Sequence, residues 1–176
     1  MSLLLWMLAC SPSAEDIAKA VTSENPVMRE DGAKIAQNYD DDVVVKALVS
    51  VIADPSEKVR LNAIESLAEI QSADACPALV DRMKNDPSKA VQKAAADGLG
   101  RIICKDAIPD LIAYVDSFDA NSRDQLAGVW AIGRIGFEGL KSDDKKAALH
   151  YLSQRREKAS DKYVLYNLSV ALRYLK

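Results

Sequence analysis

The stretch Asp74-Ala75-Cys76-Pro77-Ala78-Leu79-Val80 returns further along the chain as Asp106-Ala107-Ile108-Pro109-Asp110-Leu111-Ile112. The sequence DPSEKV at residues 54–59 is answered by DPSKAV at residues 86–91, and the interval from 54 to 86 equals that from 74 to 106. A fixed period of this length is typical of stacked repeat arrays, in which each unit needs a neighbour to cover its apolar face. The period therefore predicts a repeat fold before any single motif is considered.

Both halves of the repeat carry apolar residues at helical spacing. Val59, Ala63 and Leu67 lie on one helical face, and valine, alanine and leucine recur at the same places one period later. The first helices are predicted over residues 13–22, 42–53, 74–84, 106–117 and 141–158, each followed by a second helix. The predicted fold class is all-α, a right-handed alpha-alpha superhelix of about five helical pairs. Small residues at positions 63, 95 and 128 predict a close approach between neighbouring helices.

Polar residues mark the predicted starts of the second helices. Asp54 and Asp86, each followed by proline, are predicted as N-caps with the proline at the first helical position. Asn25 before Pro26 resembles this arrangement. Asn121 and Ser160 are predicted to cap the last two second helices.

These motifs together resemble a known repeat. Pro-x-Leu, Asp-Pro and Val-Arg, followed by Ala and Leu at helical spacing, resemble the short HEAT-like repeat of the phycobilisome-lyase type over about residues 13–175. The resemblance implies that the second helices line a concave face. It also implies a pairing of Asp54 with Arg60, but Gln92 replaces the arginine in the next unit. Whether an Asp–Arg ladder runs along the array stays open.

Composition limits the classes of partner. Hydrophobic residues make up 49% of the 176 residues and charged residues 28%, as in folded globular proteins. The formal net charge of −3 argues against duplex nucleic acid as a partner, because that binding depends on clustered Lys and Arg. We expect one repeat domain over residues 13–176, preceded by an apolar segment over residues 1–12.

The apolar segment has two interpretations. Residues 3–9 are too few to span a bilayer, and they end at Cys10. Met7-Leu8-Ala9-Cys10 resembles a bacterial lipobox, which predicts a lipidated Cys10, a membrane tether and a location in the cell envelope, although no Lys or Arg precedes the run. In the alternative, the segment is a helix that covers the first repeat of a cytoplasmic protein.

The other two cysteines leave the compartment open. Cys76 occupies the position of Ile108 one repeat later, which favours a small buried apolar residue. Cys104 follows a predicted helix, and the two could pair in an oxidising compartment.

Catalytic and metal constellations are not found in the sequence. His150 is the single histidine, so any site that needs two imidazoles is excluded. The run at residues 40–42 of three aspartates is interpreted as a helix cap rather than a cation site. We expect no catalytic residues, no metal and no cofactor.

A binding surface is better supported, since one repeat position changes its character. Positions 65, 97 and 130 are expected to face the groove and hold Glu65, Asp97 and Trp130. Trp, Tyr and Arg are enriched at interface hot spots. The candidate groove residues that join these three are Leu126, Arg134, Tyr166 and Tyr174. The alternative is that the aromatic residues pack beneath the connection over residues 136–144.

Two functional hypotheses follow. The first is a non-enzymatic scaffold whose concave groove binds another protein or a peptide, with no role for nucleic acid. The alternative, implied by the resemblance, is an accessory subunit of a tetrapyrrole (bilin) lyase-type enzyme.

Overall fold

The chain forms α-helices joined by short turns. The computed structural model describes residues 12–138 and 140–175, and within these ranges no residue lies in a strand. The helices in chain order are α1 Ala14–Val21, α2 Pro26–Ile35, α3 Asp42–Val51, α4 Glu57–Ile70, α5 Cys76–Asn85, α6 Lys89–Ile102, α7 Ile108–Asp116, α8 Leu126–Glu138, α9 Ser142–Lys158 and α10 Lys162–Tyr174. The predicted all-α class and the predicted helical pairs are confirmed.

The second helix of each pair belongs to one continuous layer. α2, α4, α6, α8 and α10 each pack extensively against the next, whereas successive first helices beyond α3 touch one another only slightly. In a curved stack, the layer with the closer packing lies on the inner side. The second helices therefore form the more closely packed layer, the one that the HEAT-like resemblance assigns to the concave face.

Two helix starts differ from the prediction. α4 begins after Ser56 and α6 after Ser88, so that the preceding prolines lie outside the helices. The carboxylate of Asp54 accepts the N–H of Ser56 at 2.8 Å, and that of Asp86 accepts the N–H of Ser88 at 2.9 Å. Both aspartates thus close the turn before the helix, and their remaining oxygen atoms stay available to another repeat.

Of the other three predicted caps, one is confirmed and two are wrong. Asn25 caps α2 by accepting the N–H of Val27 at 2.9 Å, as predicted. Ser160 is wrong as a cap, because the side chain of Asp161 accepts the first N–H groups of α10. Asn121 is also wrong, since its side chain accepts the N–H groups of Ser160 at 2.6 Å and Asp161 at 2.9 Å. It joins the loop before α8 to the loop before α10.

A row of polar side chains runs along the loops that join the two helices of each pair. Arg29, Arg60, Gln92 and Gln125 hold the same place in four successive repeats. Each donates a hydrogen bond to the main-chain carbonyl six residues earlier, at 2.9, 2.9, 2.7 and 3.3 Å respectively. Gln92 therefore makes the same main-chain contact as the arginines at the corresponding positions.

The arginines of this row also bind the next repeat. Arg29 donates from Nε to Oδ2 of Asp54 at 2.7 Å, and Arg60 donates from Nε to Oδ2 of Asp86 at 2.8 Å. The implied carboxylate pairing of Asp54 with Arg60 is therefore wrong, because each arginine reaches the aspartate one repeat further on. Gln92 carries no charge, so the ion-pair ladder ends at Asp86.

Small residues allow the concave helices to approach closely. A Cβ atom on Gly100 of α6 would lie 2.7 Å from Cα of Ala131 in α8. A Cβ atom on Gly133 of α8 would lie 2.9 Å from Cα of Ala171 in α10. Gly128, at one of the positions predicted for close approach, packs instead against side chains of α7 in its own pair.

Cys76 and Cys104 form a disulfide, with their Cα atoms 5.8 Å apart. The bond joins the first residue of α5 to the segment that follows α6. The interpretation of Cys76 as an apolar core residue is wrong, and the alternative pairing is the one observed.

The apolar N-terminal segment lies almost wholly outside the described residues. Cys10 is not among them, so its lipidation and the domain boundary at residue 12 stay predictions. Across residues 12–138 and 140–175, none of the helices has the length and apolar character needed to span a bilayer.

Candidate functional site

The second helices present three matching positions in each of the last four repeats, which we name the groove face. These residues are Leu61, Glu65 and Glu69 in α4, Lys93, Asp97 and Arg101 in α6, Leu126, Trp130 and Arg134 in α8, and Tyr166, Val170 and Tyr174 in α10. Their character changes along the array from acidic, through mixed charge, to aromatic.

The central part of the groove face is a pocket of about 400 Å³ between α4 and α6. Glu65 and Asp97, two of the predicted groove residues, both line it. Lys93 and Arg101 line the same pocket, and sequence reasoning missed them. Their spacing of four residues on either side of Asp97 was the available signal, because that spacing keeps side chains on one helical face.

A second pocket of about 430 Å³ continues the groove face toward α8. It is lined by Glu69, Gln71, Asp97, Arg101, Trp130 and Arg134. Asp97 lines both pockets, so the structure brings the predicted residues Glu65, Asp97, Trp130 and Arg134 onto one continuous surface.

Two arginines of the groove face form ion pairs. Arg101 lies 2.5 Å from Glu69 of the preceding repeat, and Arg134 lies 2.9 Å from Glu138 within α8. The side chain of Asp97 has neither a hydrogen bond nor an ion pair with any residue in the described part of the chain. Burial raises the pKa of Asp97, and the nearby charges of Arg101 and Lys93 only partly oppose this effect. Asp97 is therefore a half-buried carboxylate without a donor among these residues.

Trp130 has both a packing contact and a free surface. Its ring packs over Gly100, where an added Cβ would lie 2.8 Å from Cζ3. The rest of the half-buried indole lines the second pocket beside Asp97. Leu126, one turn earlier in α8, is also half-buried against the core. Trp130 therefore packs partly on α6 and also lines the second pocket, and its role in binding stays a prediction.

Tyr166 and Tyr174 lie further along the groove face and line neither of these pockets. Tyr166 is 67% exposed, and Tyr174 is 38% exposed with its ring 5.8 Å from that of Phe137. Sequence reasoning missed Phe137, which is 59% exposed and lies three residues after Arg134 in α8. Phe137 and Tyr174 thus form an aromatic pair at the C-terminal end of the array.

The other residues that could serve catalysis or metal binding make contacts only within their own helix or turn. Asp41 caps α3 by accepting the N–H of Val43 at 2.9 Å, in agreement with the interpretation of the aspartate run. The exposed His150 contacts the side-chain amide of Gln154 at 2.9 Å. The described residues contain no group of three or more His, Cys, Asp or Glu placed to hold a metal ion.

This geometry defines an α-solenoid with a concave groove face. HEAT repeats match residues 14–89 and 77–173, and the chain belongs to this family. A similar solved structure is the complex of CpcE and CpcF of phycocyanin lyase from Nostoc sp. PCC7120, with 22% sequence identity and a TM-score of 0.77. The match covers 96% of this chain and 66% of that chain. This protein therefore spans just under two thirds of the length of the matched chain. No curated protein matches the sequence. The predicted HEAT-like solenoid is confirmed.

Proposed function

We propose that this protein is a non-enzymatic scaffold whose groove face binds another protein. The observation that carries the proposal is the continuous surface on which Glu65, Asp97, Trp130 and Arg134 lie together. A half-buried Trp beside charged residues has the composition of an interface hot spot, in which an aromatic anchor is surrounded by polar groups. The complex of CpcE and CpcF is itself a protein assembly of similar fold, which supports a protein as the partner.

Rigidity supports the same proposal. The concave helices pack against one another through close contacts such as Gly100 with Ala131 and Gly133 with Ala171. A groove held in one shape loses little conformational freedom when a partner binds, so more of the contact energy remains as affinity.

Affinity purification from the native host tests the proposal, with Trp130→Ala compared with the parent chain. We expect the co-purified protein to be lost, because truncating a hot-spot aromatic costs about 2 kcal/mol or more of binding energy. Phe118→Ala is the matched control, since Phe118 is a half-buried aromatic that packs on Tyr114 at 5.0 Å, away from the groove face. Equal recovery of the partner with both variants would contradict the proposal.

An accessory role in bilin attachment is the second candidate. Its support is the similarity to CpcE and CpcF over 96% of the chain. Mixing the protein with a bilin and an acceptor protein tests it. Coloured acceptor that forms only when the protein is present would favour this candidate, and an unchanged absorption spectrum would count against it.

The location we propose is the bacterial cell envelope, with a tether through Cys10. The disulfide between Cys76 and Cys104 supports an oxidising compartment, because such bonds are rare in reducing cytosol. Mass spectrometry of the native protein is the test. A lipidated mature form that begins at Cys10 is expected, whereas an unlipidated chain with free thiols at residues 76 and 104 would indicate the cytoplasm.

A further inference from the structure

The carboxylates of the groove face are not equally compensated, although the face carries as many cations as carboxylates. The acidic residues are Glu65, Glu69 and Asp97, and the basic residues are Lys93, Arg101 and Arg134. The question is therefore which carboxylate lacks a direct partner.

Asp97 is the carboxylate that would gain most from a charged donor on a partner. Glu69 is already paired with Arg101, and Glu138 with Arg134. Glu65 is exposed, so water screens it. Asp97 is half-buried and lacks a donor among the described residues, and burial raises its pKa. A partly desolvated carboxylate without a donor gains more from a charged donor than an exposed one.

The neighbour of Asp97 in the second pocket strengthens the preference for a cation. Trp130 lines the same pocket, and an indole face attracts a guanidinium or ammonium group within about 6 Å of the ring. Carboxylate and indole thus favour the same kind of ligand group.

The first pocket indicates that the cation belongs to a peptide chain. Its wall includes apolar surface from Leu61, Ala90 and Ala94, next to Asp97. Apolar side chains that flank a basic residue would therefore find surface to bury while the basic residue reaches Asp97. A free ion would not use this surface.

We propose that Asp97 and Trp130 bind one Arg or Lys side chain of a protein partner, flanked by apolar residues and seated in the groove. The inference rests on the proposed scaffold function and specifies the chemistry of its partner. The basic side chain donates hydrogen bonds to the Asp97 carboxylate and lies against the Trp130 indole.

A displayed library of random peptides, selected on the full chain, provides the probe. We expect selected peptides to share a basic residue with apolar neighbours. Asp97→Asn should weaken a selected peptide about tenfold, the loss expected for one charge-assisted hydrogen bond. Glu65→Gln is the matched control, because it removes one negative charge from the same surface and should change the affinity by less than about twofold.

A substitution in the selected peptide gives the second part of the test. Replacing the basic residue by Gln should weaken binding to the parent chain about tenfold and cause little further loss with Asp97→Asn, because both changes remove one interaction. This substitution remains informative if Asp97→Asn fails to fold. Selected peptides without a basic residue, or with equal affinity for Asp97→Asn, would overturn the inference while leaving groove binding intact. A library that yields no binder would also overturn it, and the scaffold function is judged separately by the purification with Trp130→Ala.

Discussion

Arg60 in one repeat binds both carboxylate oxygens of Asp86 in the next, from Nε at 2.8 Å and from Nη2 at 2.9 Å. The side chains are 7% and 0% exposed respectively, so this ion pair is buried between two repeats. Arg60 also donates to the main-chain carbonyl of Asp54 at 2.9 Å. One guanidinium thus closes a loop in its own repeat and fixes the position of the following one.

We expect Arg60→Met to lower the free energy of unfolding by about 3 kcal/mol, because it leaves the Asp86 carboxylate buried without its main partner. The loss should stay at the lower end of the usual range, since Arg82 remains 3.4 Å from Asp86. Urea unfolding measures the change. Arg101→Met is the control, because Arg101 is half-buried and its loss should cost about 1 kcal/mol or less. Equal destabilisation by the two variants would contradict the assignment.

The same ion pair makes stability depend on pH. Burial tends to raise the pKa of Asp86, but hydrogen bonds from Arg60 and the Ser88 N–H, with the charges of Arg60 and Arg82, hold it below its usual value. A lowered pKa stabilises the fold above the unfolded-state value of about 3.9, and this contribution is lost as pH falls through the folded value.

Unfolding of the parent chain and of Asp86→Asn between neutral pH and about pH 2 checks this prediction. The variant should be less stable at neutral pH, and the difference should shrink in acid. An identical decline in both chains would show that Asp86 does not contribute to the acid sensitivity.

Removing the disulfide should destabilise the protein. Cys76 and Cys104 are 28 residues apart, and closing a loop of this length restricts the unfolded chain by about 3–4 kcal/mol. We expect Cys76→Ala with Cys104→Ala to lower the free energy of unfolding by about that amount. Dithiothreitol should reproduce the effect in the parent chain and leave the double variant unchanged. A reductant-insensitive parent chain would show that the bond is absent.

Two glycines in α6 separate close packing from helix propensity. Gly100→Ala should destabilise the fold by about 1–3 kcal/mol, because its Cβ would lie 2.7 Å from Ala131 Cα and the backbone would have to shift. Gly98→Ala should be neutral or stabilising by up to about 1 kcal/mol, since its Cβ has neighbours only at 3.5 Å and beyond. Thermal unfolding of both variants decides the matter, and a reversed order would refute the close approach of α6 and α8.

The helical pairs could be predicted because their signals are local. The spacing of Val59, Ala63 and Leu67, which recurs in the next repeat, depends only on the geometry of one helix. The partner of Arg60 could not be predicted in this way. It depends on the register between repeats, and the same side chain that bonds the carbonyl of Asp54 also reaches the carboxylate of Asp86.

The candidate site was predictable in part for a similar reason. Glu65, Asp97 and Trp130 came from one repeat position, and the structure places all three along the groove face. Lys93 and Arg101 were missed because only one position per helix was compared, while a pocket wall takes side chains from adjacent turns. The compensation of charge on this surface therefore became visible only once the helices were placed side by side.

Photo-cross-linking tests the central claim, that a protein partner occupies the groove, most directly. A photoreactive phenylalanine analogue replaces Ala94, which lines the pocket between α4 and α6, or Ala113, which is exposed on α7. In cells of the native host, we expect position 94 to cross-link to a partner protein, position 113 to give no such product, and Trp130→Ala to abolish the product at position 94. A partner captured at position 113 but not at position 94, or capture at 94 that is insensitive to Trp130→Ala, would contradict the claim.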